Sequence, residues 1–224
     1  MLEVDLRPLI DDARLIRARL FADLTNPHAR LIDATIRSQR SGSRRFAFND
    51  GLIGFGAALR EVLLSWGVPD RFIFTNDTPV EGHFVRRKYW DFVVTDAVGR
   101  EQALIENSRI AAASSSASRF CHLLLGAMKD VHATGRRAFV GLVFVTDTTR
   151  HPMHPRRRGR QCRQLERFAC TCAMEGLLDA LTWMEVTPCG VEEPSPVLGL
   201  ERFLETLYRR LADLPEGTWG QGGL

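Results

Sequence analysis

The sequence predicts an α/β protein in which a mixed β-sheet is flanked by helices and preceded by an N-terminal helical region. Three observations carry that expectation. Two short apolar runs, Trp90 to Val94 and Ala103 to Ile105, flank a turn signal at Val98-Gly99-Arg100, the pattern of a β-hairpin. Residues 138–146 form an almost continuous apolar run, as in a strand buried on both faces. Amphipathic helical patterns separate these segments, and helices alternating with strands around one core are the mark of layered α/β architecture. The boundaries read as an N-terminal helical region over residues 1–45, a core over 46–214 and a flexible Gly-rich tail over 215–224.

Taken in order, residues 8–24 carry Leu9, Ala13, Ile16 and Leu20 at helical spacing, with Pro8 in a position suited to a first turn. A second helix is expected over 29–38, and Ser41 to Arg45 reads as a loop. The helix expected over 51–66 is strongly apolar (Leu52, Phe55, Leu59, Val62, Leu63, Trp66), and Gly67-Val68-Pro69 ends it. A short strand is expected over 71–75 and a turn over 76–79. After the hairpin, a long helix is expected over 109–134, clearest from Phe120 onward. Prolines in His151-Pro-Met-His-Pro155 predict that the following Arg156, Arg157, Arg158 and Arg160 lie in a basic loop. A helix over 161–178, a strand over 181–187, a Pro/Gly linker and a last helix over 198–211 complete the order.

Bulk properties narrow the function classes. A length of 224 residues with 45% hydrophobic content suffices for one domain with a real core. The net charge of +3 says little about partners, but the cations are almost all arginine, with only Lys88 and Lys129 as lysines. Arginine suits phosphate because its planar fork binds two oxygens, although a coding bias yields the same skew. Five cysteines, an odd number with no C-x-x-C pair, argue against a zinc ribbon or a disulfide framework and favour a reducing, cytoplasmic setting. No apolar run approaches the roughly 20 residues of a membrane span, and the opening residues lack a signal-peptide pattern.

The hairpin carries the chemistry. Asp91 lies near the start of its first strand and Glu106 at the end of its second. Paired strands bring such residues side by side, and two carboxylates at one sheet end form a hard-oxygen site of the kind Mg²⁺ prefers. The ion would polarise a phosphate and activate water for phosphodiester cleavage. Carboxylates at the edges of a surface hairpin are otherwise simply solvated. Arg86, Arg87 and Lys88, just before Trp90-Asp91, either hold a polyanion or guard a strand edge against aggregation.

The order Trp-Asp, short hairpin, Ile-Glu, long helix resembles the PD-(D/E)xK nuclease core. The run Val80-Glu-Gly-His-Phe-Val-Arg86-Arg87-Lys88-Tyr-Trp-Asp91 is similar to the XhoI-type restriction endonucleases, and weaker similarity continues through Arg119, Leu125-Gly-Ala127, Phe139 to Phe144 and Leu200 to Leu204. The resemblance implies a restriction-endonuclease-like fold, a Mg²⁺ cofactor held by Asp91 and Glu106, double-stranded DNA as partner and a homodimer. Taken with the local charge signal, strongest at residues 156–160 and otherwise that of a solvated loop, it makes Arg86, Arg87, Arg109, Arg119, Arg156, Arg157, Arg158 and Arg160 DNA-binding candidates. One departure matters. The family has a Lys two residues after the Glu, which positions water and stabilises phosphate charge; here Ser108 stands there. Ser108 donates a hydrogen bond without charge, and Lys88 reaches the site only if the chain folds back. Two functions follow: a Mg²⁺-dependent type II restriction endonuclease using Asp91, Glu106, Ser108 and Lys88, or a catalytically inactive pseudo-nuclease that binds DNA or protein.

Overall fold

The computed structural model describes residues 26–42, 55–75, 77–110, 116–135, 137–147, 155–186, 198–215 and 217–220. It contains α1 (Pro27–Gly42), α2 (Phe55–Ser65), a 3-10 turn (Asp70–Phe72), β1 (Ile73–Phe74), β2 (Thr78–Glu81), β3 (Arg87–Trp90), β4 (Phe92–Thr95) and β5 (Glu101–Ile110). These are followed by α3 (Ser116–Ala133), β6 (Phe139–Asp147), α4 (Pro155–Met174), β7 (Ala180–Val186) and α5 (Leu200–Ala212). The expected helix over 8–24, the loop at 43–45, the Ala/Ser tract at 111–115, the segment 148–154, the linker and residues 221–224 lie outside the described residues.

The sheet is mixed and five-stranded, in the order β1-β4-β5-β6-β7, and β2-β3 forms a separate two-stranded ribbon. β1, β4 and β5 pair antiparallel, whereas β5, β6 and β7 pair parallel. Parallel neighbours need long crossovers, and α3 and α4 supply them. Strand alternation sorts the core into two layers. Phe92, Val94, Ala103, Ile105, Phe139 and Val143 pack with α1, α2 and α5. Val93, Leu104, Val140, Leu142 and Phe144 pack with α3, α4 and the ribbon residues Val80 and Trp90. The result is a helix/sheet/helix sandwich, with β6 an interior strand buried on both faces.

Several expectations need correction. Trp90 to Val94 is not one strand: β3 ends at Trp90 and pairs with β2, and the chain bends at Asp91 before β4 joins the main sheet. Thr78 and Pro79 belong to β2 rather than to a turn, since their partners are Trp90 and Tyr89. Proline is tolerated there because the ribbon is two-stranded and leaves one side of each strand free of pairing. Arg109 and Ile110 continue β5, opposite Val145 and Thr146, so α3 begins only at Ser116. Arg156, Arg157, Arg158 and Arg160 lie in α4, not in a loop. Pro155 is the first helical residue, where a missing N–H and a fixed φ cost nothing.

The first and last of the described segments join the core. Ala29 and Ile32 of α1 are fully buried with α2 and α5. In place of the flexible tail expected from 215, residues 217–220 pack against the body: Trp219 is buried beside Phe72, Thr218 accepts the Ala97 N–H at 2.9 Å, and Arg71 donates to the Trp219 carbonyl at 3.3 Å. A buried indole outweighs the glycines around it, because aromatic burial is among the largest apolar contributions a single residue makes.

Candidate active site

Topology gathers the candidate residues at one edge of the sheet. β5 and β6 run parallel, and each is followed by a helix that returns along the sheet. The C-terminal ends of β5 and β6 and the N-terminal turns of α3 and α4 therefore share an edge, the usual ligand-binding edge of α/β sheets. Glu106, Ser108 and Arg109 lie toward the end of β5, Arg119 in the first turn of α3, and Arg156, Arg157 and Arg158 in the first turn of α4, with Arg160 in the next.

Asp91 and Glu106 meet there. Phe92 pairs with Ile105, so Asp91 falls beside Glu106 across the β4-β5 ladder. Both are buried, and Asp91 Oδ2 accepts the Asn107 N–H at 2.7 Å. This bond turns the bend between ribbon and sheet into a fixed point, because the carboxylate takes the place of a backbone partner.

Lys88 completes the group from an unexpected direction. β3 alternates, with Arg87 and Tyr89 exposed while Lys88 and Trp90 turn inward. The Lys88 ammonium lies 2.6 Å from Glu106 Oε2, donates to the Tyr89 carbonyl and sits 5.4 Å over the Trp90 ring. The fold-back that the sequence left as a condition is thus made by the β2-β3 ribbon. Arg87 instead pairs with Glu81 at 3.1 Å, and Arg86 is exposed.

Burial sets the electrostatics of Glu106. Desolvation pushes its carboxyl from 4.5 up to about 7, opposed by the Lys88 charge and reinforced by the charges of Asp91 and, less strongly, Asp77. The residue before β2, Asp77 falls beside Asp91 because Thr78 pairs with Trp90. Its backbone has a φ of +26°, uncommon for a residue with a side chain. An acid inside an Asn-Asp-Thr-Pro turn signal gave no hint of this placement.

Asp130 was also missed. It sits on α3, buried, and its carboxylate accepts the N–H groups of His83, Phe84 and Val85 at 2.6, 2.7 and 2.8 Å. Burial alone would raise its carboxyl, but the three donors outweigh that and hold it below its ordinary 3.8. Gly82 permits the approach, since a Cβ there would lie 2.3 Å from Asp130 Oδ2. The available signal was an acid bordering the apolar stripe of Leu124, Ala127, Met128 and Val131. Asp130 thereby ties the ribbon that delivers Lys88 to the main body.

Two carboxylates and water could hold a small divalent cation, which keeps several waters of its own. Among the described residues no group of three or more His, Cys, Asp or Glu is arranged as a fuller metal cage. The His122 and His132 side chains are exposed on α3. A cleft of about 810 Å³, lined by Asp96, Arg100, Arg137 and Thr218 among others, opens at the opposite end of β5 and takes no part in this group. No helix among the described residues is long and apolar enough to cross a membrane. Compared with protein-family models, curated proteins and solved structures, the chain matches none.

Proposed function

We propose that the chain is a Mg²⁺-dependent endonuclease of restriction-endonuclease-like fold that hydrolyses phosphodiester bonds of double-stranded DNA, with Asp91 and Glu106 as metal ligands and Lys88 as the cation. The observation that carries the reading is the Lys88–Glu106 contact beside Asp91: two acids and an ammonium in one buried group at the C-terminal edge of the sheet. The mixed sheet with its β4-β5 hairpin, the following long helix and the next buried strand support it, as they occur in the order that the resemblance implies. The donor set fits Mg²⁺ because both ligands are hard carboxylate oxygens, and a cation between them would offset the desolvation and the Asp91 charge that raise Glu106.

A bound Mg²⁺ would supply Lewis acidity toward the phosphate and toward water. The protein groups do the remainder. Asp91 is oriented through its bond to the Asn107 N–H, and Glu106 presents its carboxylate from the same edge. Lys88 would replace the motif cation missing at Ser108: with Glu106 engaged as a metal ligand, the Lys88 ammonium would be free to orient water and stabilise phosphate charge. Arg109, Arg119 and the α4 arginines lie on elements that end or begin at this edge and, with the exposed Arg86 of the ribbon tip, would contact the DNA backbone. A palindromic site read by a homodimer is the assembly that the resemblance implies.

A second reading rests on the same contact. Lys88 already neutralises Glu106, and a site closed by an internal ion pair suits a pseudo-nuclease that binds DNA without cutting it. Plasmid cleavage in Mg²⁺ and separately in Mn²⁺ separates the two. Discrete cutting by the native chain, lost in Asp91→Ala and Lys88→Ala and regained in part when Ser108→Lys is added to Lys88→Ala, establishes the nuclease. Salt-sensitive binding with no cutting in either metal establishes the pseudo-nuclease. Neither cutting nor binding removes DNA from the account.

A further inference from the structure

The β2-β3 ribbon has two faces, and the proposed active site uses only the inner one. The tip, residues 82–86, carries Phe84, the most exposed aromatic side chain among the described residues at 69%. An exposed phenylalanine on a loose turn would mean little. Here the backbone beneath it is locked: the His83, Phe84 and Val85 N–H groups all donate to the buried Asp130 carboxylate. The underside leaves no room to shift, since a Cβ at Gly82 would strike Asp130 and a Cβ at Gly126 would lie 2.9 Å from Val85. The side chain is thus presented outward by rigid backbone, in the way a contact surface needs and a core does not.

The surroundings select the partner. His83 and Arg86 flank Phe84 and are exposed, and Tyr89 is 49% exposed on the outer face of β3. Arg87 is offset by Glu81 and Lys88 by Glu106, which leaves Arg86 with no ion-pair partner among the described residues. An unpaired cation beside an apolar ring disfavours a second copy of the same surface and complements a polyanion with stackable faces. Lys88 is four residues from Phe84, at most about 13 Å between their Cα atoms along an extended chain, so a duplex reaching Lys88 would pass a few base steps from the Phe84 backbone.

We infer that Phe84 is a wedge that enters a base step of duplex DNA next to the scissile site, anchored through Asp130 and steered by Arg86. Apolar side chains inserted in this way unstack a step and bend the duplex, which wraps more of it against the protein. The inference rests on the DNA reading above and adds where and how the duplex is deformed.

The test uses the full chain and duplexes carrying 2-aminopurine at successive positions, with Ca²⁺ in place of Mg²⁺. Unstacking appears as a fluorescence rise at one or two adjacent positions. Phe84→Ala is expected to abolish the rise and weaken binding by about tenfold, with the melting temperature and the salt dependence unchanged. Phe84→Trp should keep both signals. Arg86→Ala should keep the fluorescence rise and lower the salt slope by about one. If the native chain binds in a salt-dependent way but no position brightens, or Phe84→Ala brightens the same position as the native chain, the wedge is overturned and the DNA-binding reading stands. A concentration-dependent dimer split by Phe84→Ala, with the DNA signal intact, assigns the ring to self-contact instead. Absence of both cleavage and salt-dependent binding overturns the wedge together with the reading beneath it.

Discussion

Asp130 and Glu106 have nearly the same small solvent exposure, 5% and 6%, yet their carboxyls shift in opposite directions. Asp130 meets three backbone N–H donors and is held ionised below its ordinary range. Glu106 meets one ammonium and a neighbouring acid, and desolvation pushes it up to about 7. The difference begins with how each carboxylate is satisfied. A carboxylate whose lone pairs are filled by fixed donors acts as a structural rivet. One left short of donors beside a like charge is arranged for something that arrives later, because perturbed groups of this kind gather at functional sites.

The widest separation of the two should appear when each is neutralised. Glu106→Gln is expected to reduce Mg²⁺-dependent plasmid cleavage by roughly 10²–10³-fold while the protein remains folded by circular dichroism. Asp130→Ala is expected to do the reverse at the level of mechanism. It strands three N–H groups and should cost about 3 kcal/mol in denaturant unfolding, with cleavage falling beyond the unfolded fraction only as far as the loosened ribbon misplaces Lys88. Equal stability losses in both variants would erase the distinction between rivet and site.

The two carboxylates also oppose one another in pH dependence. Asp130 has a lowered folded value, so its contribution is present above its ordinary 3.8 and is lost as pH falls through the folded value. Glu106 has a raised value, so its contribution is complete below 4.5 and is lost as pH rises through about 7. Between pH 5 and pH 8 the metal-free native chain should therefore lose about 2–3 kcal/mol relative to Glu106→Gln. Parallel stability curves for the two proteins over that window would show that Glu106 ionises in the fold as it does in the open chain.

How much of this could be read from the residues alone follows from the range of the forces involved. The hairpin, the buried run at 139–144 and the crossover helices were legible because apolar periodicity is local. Asp91 and Glu106 were placed together because a hairpin fixes register over a short loop. Lys88 was not, since its arrival depends on β3 leaving the main sheet to pair with β2, a choice no local pattern records. Pro155 misled for a related reason: a proline marks a break in a helix interior but a beginning at its first residue, and only the structure distinguishes them. Asp130 was silent because its partners, residues 83–85, lie more than forty positions away. Trp219 disappeared among glycines, whose composition says flexible whatever the indole between them buries.

The smallest effect gives the sharpest comparison, because it asks whether the Asp130 clamp acts as one unit. Gly82→Ala puts a methyl where the Asp130 carboxylate lies, with Oδ2, Cγ and Cβ all closer than 3 Å. Overpacking of this kind should cost about 1–2 kcal/mol. Gly99→Ala offers a contrast at the β4-β5 turn, where open space surrounds the position but φ is +80°, so its cost of about 1 kcal/mol is conformational and independent of any neighbour. In an Asp130→Ala background the two should therefore part. Gly82→Ala should become nearly silent, because the atoms it strikes are mostly gone, while Gly99→Ala should cost what it did before. A double-mutant cycle by urea unfolding reads this directly: a coupling of about 1 kcal/mol for the Gly82 pair and none for Gly99. Additive losses at Gly82 would mean that the ribbon tip is held by something other than the carboxylate, and the rigid presentation of Lys88 and Phe84 would then need another source.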